Sequence, residues 1–210
     1  MKNLVDVKVI VFDAMGVIFI DSDDIKDILL PYLKDLSNDK ITLEDIRQWY
    51  FQLSRGDFES KKFWLKFFDP KAYPKVEFDY IKLLRIDPEF KEILPLIKNN
   101  YEIALLSNDV HEWSREWREY HDLEHVFDAI VVSGDPDVRV RKPNPLIYEK
   151  LINRFEYSPK NFIFIDDRLR NLKPASELGM ITILMNRFPQ NYPFKPDLKI
   201  RSLKDLLKII

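Results

Sequence analysis

The chain of 210 residues is 46% apolar and 32% charged, with 33 basic and 35 acidic side chains, a formal charge of −2 and an isoelectric point near 6.0. That balance gives no electrostatic case for nucleic acid or an anionic membrane as partner, and the apolar runs are too short to span a bilayer. The absence of cysteine excludes disulfides, thiolate nucleophiles and cysteine-based zinc sites. Residues 1–6 lack the long apolar stretch and small-residue cleavage site of a secretory signal, and the absence of cysteine fits a cytoplasmic protein, which is expected.

Residues 7–12 form a short run rich in β-branched side chains, expected as a buried strand. The run stops at Asp13, and Gly16 then permits a sharp turn. A carboxylate at the carboxyl tip of such a strand is a place to expect chemistry. Residues 21–86 carry helical signals without clear strands, such as Thr42 as an N-cap before Glu44 and Asp45. Their aromatics, including Trp49, Phe63, Trp64 and Phe67, are expected mainly to pack a small core of that segment, with a minority lining a pocket. From residue 87 helices and strands alternate. A helix over 88–99 opens with Asp87 and Pro88. A strand at 103–107, a helix at 109–120, a strand at 129–133, a helix at 145–155 and a strand at 162–165 follow. Next come a helix at 169–178 closed by Gly179, a strand at 181–184, a proline-containing loop at 187–197 and a closing helix at 202–210. This rhythm predicts an α/β fold: a doubly wound, Rossmann-like parallel sheet. Residues 1–20 and 87–210 would form the core domain, and 21–86 a small inserted α-helical cap.

Four pieces fall at strand ends, where the loops of an open parallel sheet converge. They are Asp13, then Ser107-Asn108, then Arg141-Lys142-Pro143, then Asp166-Asp167. Asp13 is the expected nucleophile, since a carboxylate can attack phosphorus in line. Ser107 offers a hydroxyl and backbone N–H groups to a phosphate oxygen, and Lys142 offsets charge on the transferring group. Three carboxylates crowded together repel unless a cation lies between them. Mg²⁺, a hard oxygen-seeking ion, suits Asp13, Asp166, Asp167 and the backbone carbonyl of Met15.

These ordered motifs resemble those of the haloacid dehalogenase (HAD) superfamily. The stretch from Val140 to Tyr148, with Phe164 to Asp167, Asn171 to Ala175 and Leu178 to Met180, is similar to the subgroup of sugar-phosphate phosphatases and of the N-terminal phosphatase domain of soluble epoxide hydrolases. The resemblance implies a Mg²⁺-dependent hydrolase cleaving a small phosphorylated substrate through an aspartyl phosphate. It implies Asp167 as the main metal ligand of the fourth motif, Asp166 acting behind it or through water, Asn171 supporting the loop and Asn108 beside the phosphate.

One position departs from the phosphatase pattern. Met15 stands where these enzymes carry a second aspartate, the acid/base that protonates the leaving oxygen and activates water. Such help is typically worth about 10²–10⁴ in rate. Three outcomes stay open: a restriction to good leaving groups, a substitute proton donor, or phosphate binding with little turnover. Haloacid dehalogenases also lack that aspartate and read Asp-Ala-Tyr-Gly, close to Asp13-Ala14-Met15-Gly16. Their reaction is the alternative, and the pair Asp166-Asp167 argues against it. The sequence leaves the oligomeric state open. His121-Asp122-Leu123-Glu124-His125 matches a zinc-protease pattern without a third ligand, and Trp113 and Trp117, four apart on one helix, are expected to pack together rather than bind a cofactor.

Overall fold

Strands made of uninterrupted apolar residues need cover on both faces. In a computed structural model describing residues 4–36, 41–187 and 189–210, they receive it. β1 (Val9–Phe12), β2 (Glu102–Ser107), β3 (Ala129–Val132), β4 (Phe162–Asp166), β5 (Ile181–Met185) and β6 (Leu198–Ile200) form one parallel sheet in the order β3-β2-β1-β4-β5-β6. Alternate side chains split into two cores. Ile10, Phe12, Leu105 and Ile165 face one side with Phe90 and Ile93 of α5 (Pro88–Lys98) and Trp117 of α6 (His111–Tyr120). Val11, Leu106 and Phe164 face the other, with Tyr148 of α7 (Pro145–Ile152) and Leu172 of α8 (Leu169–Glu177). Fully burying one such side chain contributes about 1.5–3 kcal/mol.

Three details differ from the sequence reading: the helix expected at 145–155 ends at Ile152, and two more lie nearer the C-terminus. The sixth strand is an addition: Leu198 to Ile200 pair with Ile183 to Met185 at the sheet edge. Three residues beside Pro196, with Lys199 exposed, carry too little apolar pattern to be read as a strand. The terminal segment winds as a 3₁₀ helix, Leu203–Lys208, rather than a full α-helix.

The chain leaves the sheet and returns to it at one place. Phe19 and Ile86 pair as an antiparallel bridge. Ile20 N–H donates to the Arg85 carbonyl at 3.0 Å, and Asp87 N–H to the Ile18 carbonyl at 2.8 Å. Between them lie α1 (Leu30–Leu36), preceded by a π-wound turn at Ile25–Leu29, then α2 (Leu43–Leu53), α3 (Ser60–Trp64) and α4 (Lys75–Ile81). Thr42 and Asp45 form the capping box that starts α2. The aromatics of this segment pack beyond its own core. Phe63, Trp64 and Tyr80 surround Trp113 of α6 at centroid distances of 5.6, 5.7 and 5.0 Å. Buried Glu77 accepts from both indole N–H groups, Trp64 at 2.6 Å and Trp113 at 2.8 Å. Trp117 packs on Phe19 at 5.1 Å, so the two indoles of α6, expected to pack together, have different ring partners.

Candidate active site

Register brings the acids together. Phe12 of β1 lies opposite Ile165 of β4, so Asp13 and Asp166, each one residue further on, emerge side by side. Ser107 ends β2 on the other flank of β1. Asp13 N–H donates to the Ile165 carbonyl at 2.9 Å, which fixes its backbone on the β4 side. Its Oδ1 accepts from Ala14 N–H at 2.7 Å.

Lys142 reaches the same point from the loop after β3. Its ammonium is fully buried and donates at 2.7 Å to Asp13 Oδ1, 2.8 Å to Asp166 Oδ2 and 2.8 Å to the Leu106 carbonyl. All three ammonium protons are therefore used. The Asn108 side chain holds the Lys142 backbone in both directions, Nδ2 to the carbonyl at 2.9 Å and Oδ1 from the N–H at 2.7 Å. Asn108 thus positions the lysine as well as lining the cavity. Asp166 is fully engaged: Asn171 Nδ2 reaches both its oxygens at 3.1 and 3.0 Å, and Arg168 N–H donates at 2.7 Å.

Asp167 differs. Its Oδ2 accepts from the Ser22 hydroxyl, and its carbonyl accepts from Gln190. Its Oδ1 is buried and accepts no hydrogen bond among the described residues; Arg168 Nε stands 3.8 Å away. Gly16 makes room for this carboxylate. Its φ is +76°, and a Cβ there would lie 2.4 Å from Asp167 Oδ2.

The charges do not balance. Burial, and then the repulsion of Asp166, hold the Asp13 carboxyl well above the usual range, with Lys142 opposing. Burial and Asp166 push Asp167 up to about 6. Burial works against the charge of Lys142, but Asp13 and Asp166 together raise its pKa. Oxygens of Asp13, Asp166 and Asp167 lie within 4.8 Å of one another, the one such acid group among the described residues. A hard divalent cation fits this donor set, because it would satisfy the orphaned Asp167 oxygen and offset the surplus negative charge.

The site opens into a cavity of about 440 Å³. Met15 lines it beside Asp13, as do Ser107 and Asn171. So do Tyr50 and Phe51, two of the aromatics of 21–86 of which a minority was expected to line a pocket, and groups that the sequence reading did not place in a site: Ser22, Arg47, Arg168 and Arg170, with Arg141 noted only as a neighbour of Lys142. Arg141, Arg168 and Arg170 adjoin recognised motifs, which is the only sequence signal they carry. In the discounted zinc pattern, the His121 ring packs on Phe19 and Glu124 pairs with Arg118 at 3.0 Å.

Comparison with known proteins agrees with this architecture. Residues 7–179 match the model of the haloacid dehalogenase-like hydrolases, and the chain belongs to that family of hydrolases. It is 25% identical over 152 residues to the glyceraldehyde 3-phosphate phosphatase of Methanopyrus kandleri, covering 66% of this chain and 61% of the relative. It is 29% identical over 133 residues to (S)-2-haloacid dehalogenase 4A of Burkholderia cepacia, covering 61% of this chain and 57% of that protein. The matches thus span about three fifths of the length of these curated relatives. In fold, it superposes on the magnesium-bound HAD hydrolase YfnB of Bacillus subtilis with a TM-score of 0.69, 20% identity and 97% and 98% coverage of the two chains. Among the described residues, no helix is long and apolar enough to cross a membrane.

Proposed function

We propose that the protein is a Mg²⁺-dependent phosphatase of small phosphorylated compounds, favouring those with good leaving groups. The observation that carries this reading is the buried group Asp13, Asp166, Asp167 and Lys142, with one Asp167 oxygen that accepts no hydrogen bond among the described residues. The phosphatase and the magnesium-bound hydrolase among its relatives support it.

Asp13, Asp167 and the Met15 carbonyl would hold the metal, with Asp166 and Asn171 behind them. Mg²⁺ there supplies charge neutralisation for the transferring phosphoryl group. Asp13 attacks phosphorus, the bond to the leaving oxygen breaks, and an acyl phosphate forms on Asp13. Ser107 and Asn108 steady the phosphate oxygens, and Lys142 offsets their charge. Water then attacks that phosphorus and the bond from Asp13 oxygen to phosphorus breaks, restoring the carboxylate and releasing phosphate, which carries away the water's protons. Met15, a thioether, can neither protonate the leaving oxygen nor take a proton from the water. The first step therefore suits carboxylate or phenolate leaving groups, which depart without a proton. The helical segment 21–86 acts as the cap over the cavity.

The test is hydrolysis of acetyl phosphate and p-nitrophenyl phosphate, with and without Mg²⁺. Mg²⁺-dependent cleavage of both, lost in Asp13→Asn, is expected. Chloride release from 2-chloropropionate without metal would instead establish dehalogenation, the reading that Met15 and the dehalogenase relative favour. Phosphate binding without turnover would mark a non-catalytic protein.

A further inference from the structure

We propose, on the reading that the cavity holds a phosphorylated substrate, that the part of the substrate away from the reacting phosphoryl group carries a second anion, a carboxylate or a further phosphate, bound by Arg141 and Arg170.

Five cationic side chains line the cavity: Arg47, Arg141, Lys142, Arg168 and Arg170. Three have a carboxylate within ion-pair distance. Lys142 is held by Asp13 and Asp166, Arg47 by Asp23 at 2.7 Å, and Arg168 by the Ser22 carbonyl at 2.7 Å with Asp167 3.8 Å away. Arg141 and Arg170 have no carboxylate within ion-pair distance among the described residues. The Arg141 guanidinium lies over the rings of Tyr50 and Phe51, 5.4 Å from each centroid, and donates to the Ser54 hydroxyl. These contacts fix its plane without neutralising it.

The two guanidiniums also repel. Burial, in the first place, depresses the Arg141 pKa, and Arg170 lowers it further. The acids that pull on Arg141 from nearby, Asp109 and Asp24, are themselves pushed up by burial, to about 6 and about 7, so they answer its charge only in part. A partly desolvated cation without an anion is costly. An anionic ligand group placed between Arg141 and Arg170 offsets the desolvation cost and the repulsion, and a guanidinium suits planar carboxylate and phosphate oxygens. The cavity, about 440 Å³, is at the small end for ligand sites and suits a short metabolite.

The test is calorimetric binding to Asp13→Asn with Mg²⁺ present. Phosphoglycolate is compared with ethyl phosphate, and propane-1,3-diol bisphosphate with propyl phosphate. In at least one pair the charged ligand should bind about tenfold or more tighter, and the pair showing the larger gap identifies carboxylate or phosphate as the second anion. Adding Arg170→Met, at an exposed position that folding tolerates, or Arg141→Met should narrow that gap by about fivefold or more. Equal affinities within both pairs, or a gap that neither arginine variant narrows, would overturn the inference. Turnover of acetyl phosphate by the unaltered protein reports separately on the phosphatase reading. Turnover without a binding gap defeats only the second anion; a gap without turnover defeats only the phosphatase.

Discussion

At the scale of single residues, the proposed chemistry turns on Met15, and Gly16 makes room for the Asp167 carboxylate. Met15 lines the cavity beside Asp13, so an aspartate placed there faces the same substrate. Met15→Asp should raise kcat/KM for an alkyl phosphate by about 10²-fold or more, and for p-nitrophenyl phosphate far less, because phenolate needs no proton. Steady-state assays of both substrates check this, and equal gains would contradict the role given to Met15. Gly16→Ala forces a Cβ into Asp167 at a backbone angle that alanine rarely adopts. Its Mg²⁺ affinity, read by titration calorimetry, should fall about tenfold or more, in line with the sensitivity of metal sites to ligand placement. Met15 and Gly16 were legible in the sequence because a motif named their positions. Arg141 and Arg170 were not legible as cavity residues, because sequence does not say where a long cationic side chain points.

At the scale of elements, the strand ends carry the site, and they were the clearest part of the sequence. Runs such as Ile163 to Ile165 are buried on both faces, so their apolar signal is continuous. The edge strand β6 was illegible because it is short and half exposed. Packing between the helical insertion and α6 was also hidden, since aromatic residues announce burial but not their partner. Glu77 is the hinge of that packing. Glu77→Leu would strand two buried indole N–H groups, each costing about 1–3 kcal/mol. Urea unfolding should show a destabilisation of that order, and Glu77→Gln, which keeps an acceptor, a smaller one. Lys142→Met leaves Asp13 and Asp166 without their shared cation. A loss of about 3–5 kcal/mol is expected, checked by the same unfolding experiment, with an unchanged midpoint as the contrary result.

At the scale of the whole molecule, buried acids make stability depend on pH and on metal. Burial first, with neighbouring acids adding for Asp24 and Asp167, pushes Asp167 and Asp109 up to about 6 and Asp24 up to about 7. Unfolded aspartates release their protons near pH 3.9. Between about pH 4 and 7 the folded chain therefore holds protons that the unfolded chain has lost, and stability falls as pH rises through that window. The urea midpoint of metal-free protein should be lower at about pH 7 than at about pH 5. Mg²⁺ should restore part of the loss at the higher pH by binding the folded form alone. A midpoint that is flat or rises with pH would contradict the burial of these acids. The parallel sheet gathers acids from the ends of β1 and β4 that no local segment could bring together, which is why a single proposed ion would act on both.

The most direct measurement is mass spectrometry of the protein quenched during turnover of acetyl phosphate with Mg²⁺. The account predicts one added phosphoryl group on the peptide bearing Asp13, accumulating because Met15 cannot activate water, and absent without Mg²⁺ or in Asp13→Asn. Phosphate release with the phosphoryl group on another residue, or turnover that persists in Asp13→Asn, would contradict it.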